Sequence, residues 1–185
     1  MIDCGAIGSM IVDAIFGGDV KVELIALMDI CPEKCEKLLE RYAVKEKVIV
    51  CKDLERLLNI RPQLVIEAAS QQAVKDYVPR ILAEGIDVLV LSVGALLDEE
   101  LYNRLIEAAR DGNAKIYAPT GAIAGIDAIK VLSASGIRRI ILKTYKNVKS
   151  FDPELLKQLG FHEIRERTKI FGGNGAVAVN CSQRM

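Results

Sequence analysis

The sequence predicts an α/β chain built on an open, doubly wound parallel sheet and followed by a second, incomplete α/β unit. Two observations predict it. Short runs at Val22–Met28 (VELIALM), Leu64–Ala69 (LVIEAA), Val88–Leu91 (VLVL) and Lys115–Ala118 (KIYA) are mostly apolar on both faces, as strands are when helices cover both sides of a parallel sheet. Helical stretches alternate with these runs, and strand after helix after strand implies parallel crossovers rather than hairpins.

The helices carry their own start and stop signals. Pro32–Tyr42 has proline near its start, Ala73–Glu84 is ended by Gly85, and Asp98–Arg110 is closed by Asp111-Gly112. Proline suits a first turn because the N–H it lacks has no helical partner there, and glycine suits the exit. After Pro119 the texture changes. TGAIAGIDAI is rich in Gly and Ala, Ile137–Lys146 (IRRIILKTYK) reads as a longer, more exposed strand, and Asp152–Leu159 (DPELLKQL) reads as a short helix capped by Asp152. The boundary therefore falls near 119–121, giving expected domains 1–119 and 120–185. The last stretch, FGGNGAVAVNCSQRM, has neither helix nor strand period.

Composition narrows the function classes. With 25 Lys+Arg against 25 Asp+Glu the formal net charge is zero, so neither nucleic acid nor an anionic membrane is an expected partner. Apolar residues make up 51% and charged residues 27%, which excludes disorder for most of the chain. The longest apolar run, Asp87–Leu97, falls short of the roughly 20 residues a membrane span requires. MIDCGAIGSM lacks the basic and continuously apolar parts of a secretory signal, so a cytoplasmic location is expected. Cys4, Cys31, Cys35, Cys51 and Cys181 are odd in number and show no CxxC pair; neither a disulfide framework nor a zinc site is expected. Cys31 and Cys35 lie one helical turn apart, but two thiolates are too few ligands for zinc.

The most informative segment is Cys4-Gly5-Ala6-Ile7-Gly8-Ser9, followed by the periodic Met10–Phe16. It matches the second half of G-x-G-x-x-G opening a helix. Gly5 would admit a pyrophosphate to the backbone, Gly8 would let helix and sheet pack closely, and free amides at the helix start would face the phosphates. The first glycine is replaced by Asp3, whose carboxylate would repel phosphate. Only Met1-Ile2 precede it, so the central strand is expected to be missing, with unpaired neighbours. A tight turn alone would also explain GAIG.

Asp29 ends the next strand about 20 residues after Gly8, the spacing at which a carboxylate accepts hydrogen bonds from an adenosine ribose. That favours NAD; capping of the turn before Pro32 is the other reading. Two further loops leave the carboxyl ends of strands, where ligands bind in a doubly wound sheet. These are Ala68-Ala69-Ser70-Gln71-Gln72 and Ser92-Val93-Gly94-Ala95. Their small residues admit the nicotinamide half, and Ser70, Gln71 and Ser92 carry donors; either loop would serve equally as a helix cap. Lys146 and Asn147 follow the long strand and either face a cleft or stay solvated. His162, the single histidine, has no neighbouring motif and reads as a surface residue.

CGAIGS, the strand ending in Asp29, EAASQQAVKDY at Glu67–Tyr77, LSVGA at 91–95 and TGAIAGIDAI at 120–129 together resemble the L-aspartate dehydrogenase family over residues 3 to about 150. The resemblance implies a homodimer with an N-terminal Rossmann-type domain, a doubly wound parallel sheet, and a C-terminal α/β substrate domain. It implies oxidation of L-aspartate to iminoaspartate with NAD or NADP, feeding oxaloacetate plus ammonia or NAD biosynthesis. Carried onto this chain, it implies cofactor contacts at Gly5, Ala6, Ile7, Gly8, Asp29, Ala69, Ser70, Gln71, Ser92, Gly94, Ala95 and Ala122. Lys146 is the local candidate for the carboxylates of aspartate. Tyr145 stands where the family's T-R-K segment has a basic residue. After Gly173 the family pattern ends before its cofactor-contacting Asn and catalytic His; neither Asn180 nor His162 matches them, and no catalytic residue is assigned. The chain is therefore expected to be incomplete at both ends and weakly active. The alternatives are a related homoserine dehydrogenase or dihydrodipicolinate reductase, and a non-catalytic dinucleotide-binding module.

Overall fold

The computed structural model describes residues 1–42, 47–120, 126–151, 153–170 and 172–173. The chain divides into two compact units, Met1–Ile123 and Ala124–Met185. In the first, strands β1 (Ala26–Met28), β2 (Ile49–Cys51), β3 (Leu64–Glu67), β4 (Asp87–Val90) and β5 (Ile116–Tyr117) alternate with helices α1 (Ala6–Phe16), α2 (Pro32–Leu39), α3 (Leu54–Asn59), α4 (Gln71–Ala83) and α5 (Glu99–Asp111). All pairing is parallel: β1 with β2 from Ala26 opposite Ile49, β3 with β4 from Leu64 opposite Asp87, and β4 with β5 from Val88 opposite Ile116.

Residues 1–3 join the two halves of this sheet. Ile2 bridges in parallel to both Met28 and Glu67. The Ile2 N–H donates to Ile66 O at 2.9 Å, the Asp3 N–H to Met28 O at 2.7 Å, the Met28 N–H to Met1 O at 2.9 Å and the Ala68 N–H to Ile2 O at 3.1 Å. The spatial order is therefore β2, β1, residues 1–3, β3, β4, β5. This corrects the expectation of unpaired edges beside a missing central strand: residues 1–3 hydrogen-bond to both neighbours.

Side chains alternate across the pleat, so each face has its own core. Ile2, Ala26, Met28, Val65, Val88 and Val90 pack with apolar residues of α3, α4 and α5. Met1 and Leu27 pack with Val12 of α1 and with Leu38 and Leu39 of α2. Burial on both faces is the reason these strands lack a polar side.

Several boundaries differ from expectation. Only Ala26–Met28 of Val22–Met28 is strand, because its partner β2 spans just Ile49–Cys51. β2 and α3 were not foreseen between Tyr42 and Leu64; α3 is capped by Asp53, whose carboxylate accepts from the Arg56 N–H. α4 starts at Gln71 rather than Ala73, since Ser70 is its cap. Asp98 caps α5.

The second unit contains α6 (Ile126–Ser133) and α7 (Pro153–Gln158), with a 3-10 turn at Val148–Ser150. The strand expected at Ile137–Lys146 is not formed; the segment is exposed and assigned to no ladder. A strand exists only where a second one accepts its hydrogen bonds, and among the described residues this unit has none. The Asp152 cap and most of the final stretch lie outside the described residues. No described helix is long and apolar enough to cross a membrane.

Candidate functional site

Every strand of the first unit runs in one direction, so their carboxyl ends share one rim. The turn at residues 4–8, Asp29, the loop after β3 and the loop after β4 all lie on it. Gly5, Ala6, Ile7, Gly8, Asp29, Ala69, Ser70, Gln71, Ser92, Gly94 and Ala95 are thereby brought to one side of the sheet.

The turn is built by close approach. A side chain on Gly8 would collide with the carbonyl oxygen of Asp3, so glycine is what lets α1 start directly above the sheet. Gly5 caps α1 with no side-chain acceptor, which leaves first-turn N–H groups without helical partners and aimed off the rim. Asp3 adopts φ 83°, the left-handed region that suits the glycine it replaces. Its carboxylate folds back to accept the Gly5 N–H at 2.9 Å. Burial pushes the Asp3 carboxyl up and the nearby Asp29 charge adds to this, against the Gly5 N–H that pulls it down.

Asp29 is tied to that turn. Its Oδ2 accepts the Cys4 N–H at 2.9 Å and its Oδ1 accepts the Cys31 N–H at 2.9 Å. Lys34 Nζ stands 3.7 Å from Oδ1, and the Asp29 side chain is 1% exposed. The Lys34 side chain itself is exposed.

Glu67 was not foreseen as a functional residue. It ends β3 with 0% exposure. Its Oε1 accepts from the Ala69 N–H at 2.8 Å, the Ser70 N–H at 3.0 Å and the Ser92 hydroxyl at 2.9 Å, while Oε2 accepts the Ser92 N–H at 3.1 Å. One buried carboxylate thus shapes both loops. The signal was in the sequence: a lone acid inside LVIEAA has no reason to be buried unless several donors meet it.

These bonds decide what the loops offer. The Ser70 hydroxyl accepts the Ala73 N–H at 3.1 Å, so the capping reading of Ser70 is seen. Ser92 commits both its donors to Glu67, leaving its hydroxyl oxygen to accept. Ala95 is 1% exposed and belongs to the core, on a 3-10 turn from Val93 to Leu97. Ala69 is exposed at the rim and Gly94 is half-buried. In the second unit Lys146 is exposed, its Nζ 6.0 Å from the ring centre of Phe151, and His162 is exposed. Ala122 lies outside the described residues.

Residues 4–119 match a family model described as homoserine dehydrogenase, NAD binding domain. The solved aspartate dehydrogenase of Thermotoga maritima shares the fold with a TM-score of 0.60 at 23% identity, over 100% of this chain and 67% of that one. The fold and the matching model define a Rossmann-type NAD-binding domain of the dehydrogenase class. The chain is 36% identical over 177 residues to the L-aspartate dehydrogenase of Methanocaldococcus jannaschii, covering 94% of this chain. It is 38% identical over 182 residues to that of Methanococcus maripaludis (strain C6), covering 97% of this chain. The chain belongs to the L-aspartate dehydrogenase family. It spans 64% of the length of the first relative and 67% of the second.

Proposed function

We propose that this chain supplies the dinucleotide-binding part of an NAD(P)-dependent dehydrogenase that oxidises L-aspartate to iminoaspartate, a step that feeds NAD biosynthesis. The reading is carried by one observation: the Cys4 N–H donates to Asp29 Oδ2 at 2.9 Å, so the phosphate-type turn and the ribose-type acid stand side by side. Residues 1–119 are the dinucleotide-binding domain, and 120–185 part of a substrate and dimerisation domain.

The turn fits a diphosphate in two respects, the uncapped first-turn amides of α1 and the close approach at Gly8, and Asp3 opposes it with a carboxylate. Asp29 accepts the adenosine ribose hydroxyls, which favours NAD over NADP. Ala69, Ser70, Gln71, Ser92, Gly94 and Ala95 line or support the nicotinamide side, with Ala122 added by the family resemblance. Held at this rim, a nicotinamide would supply the two-electron oxidant for the aspartate α-carbon. This chain's part is orientation and charge. Lys146 is the local candidate to receive a substrate carboxylate.

The working assembly is a cytoplasmic homodimer. The resemblance supports this, and so do the exposed apolar side chains Val131, Leu132, Ile140, Ile141 and Leu142 of the second unit, which such an assembly would cover. The test is a fluorescence titration with NADH beside an aspartate-dependent absorbance assay for reduced nicotinamide. The expected result is NADH binding with weak or no turnover by this chain. Robust aspartate oxidation would overturn the weak-activity reading, and no binding would overturn the dinucleotide site.

A further inference from the structure

Two cysteine thiols that the dinucleotide reading leaves unused meet at the turn. Cys4 Sγ and Cys35 Sγ are 2.7 Å apart, one in the turn and the other on α2. Both are thiols, with Cys4 7% and Cys35 0% exposed. A disulfide needs a separation of about 2.05 Å, so the atoms stand well under an ångström from bonding distance. The contact between them pushes the Cys4 thiol up and holds Cys35 below the usual thiol range against the effect of its burial. The remaining described cysteines are placed differently: Cys31 Sγ donates to Glu33 Oε2 at 3.1 Å, and Cys51 is buried in the core of the other face.

We propose that Cys4 and Cys35 form a reversible disulfide, made by a peroxide and reopened by a dithiol, that staples the turn at residues 4–8 to α2. Burial favours a small oxidant. The Cys35 thiolate attacks one peroxide oxygen, the O–O bond breaks, and the departing hydroxide takes a proton to leave as water. Cys4 sulfur then attacks the resulting sulfenic sulfur, the S–O bond breaks, and a second water leaves with the Cys4 proton. Two thiols and one hydrogen peroxide become one disulfide and two waters. A dithiol reverses the change by exchange through a mixed disulfide. The closure moves the sulfurs so little that the Cys4 N–H stays on Asp29 and the rim keeps its shape. Bond formation does not depend on the dinucleotide reading; only its consequence for NADH does.

The test is peptide mapping by mass spectrometry of the full chain, alkylated without reduction after treatment with hydrogen peroxide, alongside the melting temperature of each redox state. A Cys4–Cys35 linked peptide is expected, reversed by dithiothreitol, with a melting temperature raised by roughly 5–15 °C as the cross-link restrains the unfolded chain. Cys31→Ser retains the link, and Cys35→Ser abolishes both link and shift. NADH affinity is expected to change less than threefold between the two states. A linked peptide through Cys31 or Cys51, no linked peptide, or a link without a thermal shift overturns the proposal. The peptide map of the unsubstituted chain decides it even where Cys35→Ser fails to fold, and regardless of whether NADH binds.

Discussion

The backbone N–H of Cys4 and the carboxylate of Asp29 meet at 2.9 Å although 25 positions of sequence separate them. The contact fixes the turn before α1 against the end of β1, and it makes Asp29 both a structural acceptor and a rim residue. Two backbone amides, the buried one of Cys4 and the part-buried one of Cys31, depend on the Asp29 carboxylate.

Asp29→Ala should therefore lower stability and affinity together. Leaving two backbone donors unpaired costs about 2–4 kcal/mol, read by urea denaturation. NADH affinity should fall about tenfold or more in the fraction that remains folded. Unchanged affinity in a folded variant would remove Asp29 from the ribose site.

Asp3→Gly should tighten NADH binding by about tenfold, since it removes a carboxylate from beside the phosphates and frees the Gly5 N–H; each tenfold step is about 1.4 kcal/mol. The pH dependence has a definite sign. Burial raises the folded Asp3 carboxyl above its unfolded value, so its favourable contribution is fully present below the unfolded range and is lost as pH rises through the folded value. NADH binding should weaken as the pH rises through the folded value. Titrations across that value should show the slope in the unsubstituted chain and none of that component in Asp3→Gly.

Glu67→Gln should destabilise by roughly 2–4 kcal/mol, because an amide nitrogen would be forced against donors that now meet a carboxylate oxygen. Limited proteolysis should then cut within 68–72 and 92–95 sooner than in the unsubstituted chain. A variant as stable and as resistant as the parent would show that the loops hold themselves.

Gly8→Ala should cost about 2–3 kcal/mol, the usual penalty for forcing atoms into a packed contact, because the added methyl meets the Asp3 carbonyl. Chemical denaturation reads the loss. NADH titration should show weaker binding as α1 is displaced from the sheet.

The alternation of strands and helices was legible because it rests on local signals: Ser70 and Asp98 are caps, Gly85 and Gly112 follow the helices they end, and the strands are apolar on both faces. β2 and α3 escaped because three and six residues are too few to establish a period. Ile137–Lys146 misled for the opposite reason, since β-branched composition reports a preference and not the presence of a partner strand. At the rim, the spacing of Gly5, Gly8 and Asp29 was readable. The role of Glu67 was not, because Ser92 comes to it from 25 positions away. Asp3 showed as a foreign charge in the fingerprint, while its left-handed backbone and its bond to Gly5 belong to three dimensions.

The placement of residues 1–3 has a mechanical consequence. The sheet is stitched along its midline through residues 1–3, a seam astride which the proposed ligand would lie. Partial opening of the seam would expose the amides of Ile2, Asp3, Met28 and Ala68 to isotope exchange as a group, while β3 and β4 stayed zipped. A molecule resting on both banks would hold the seam shut, so occupancy at the top of the sheet and cohesion through its middle are one coupled equilibrium.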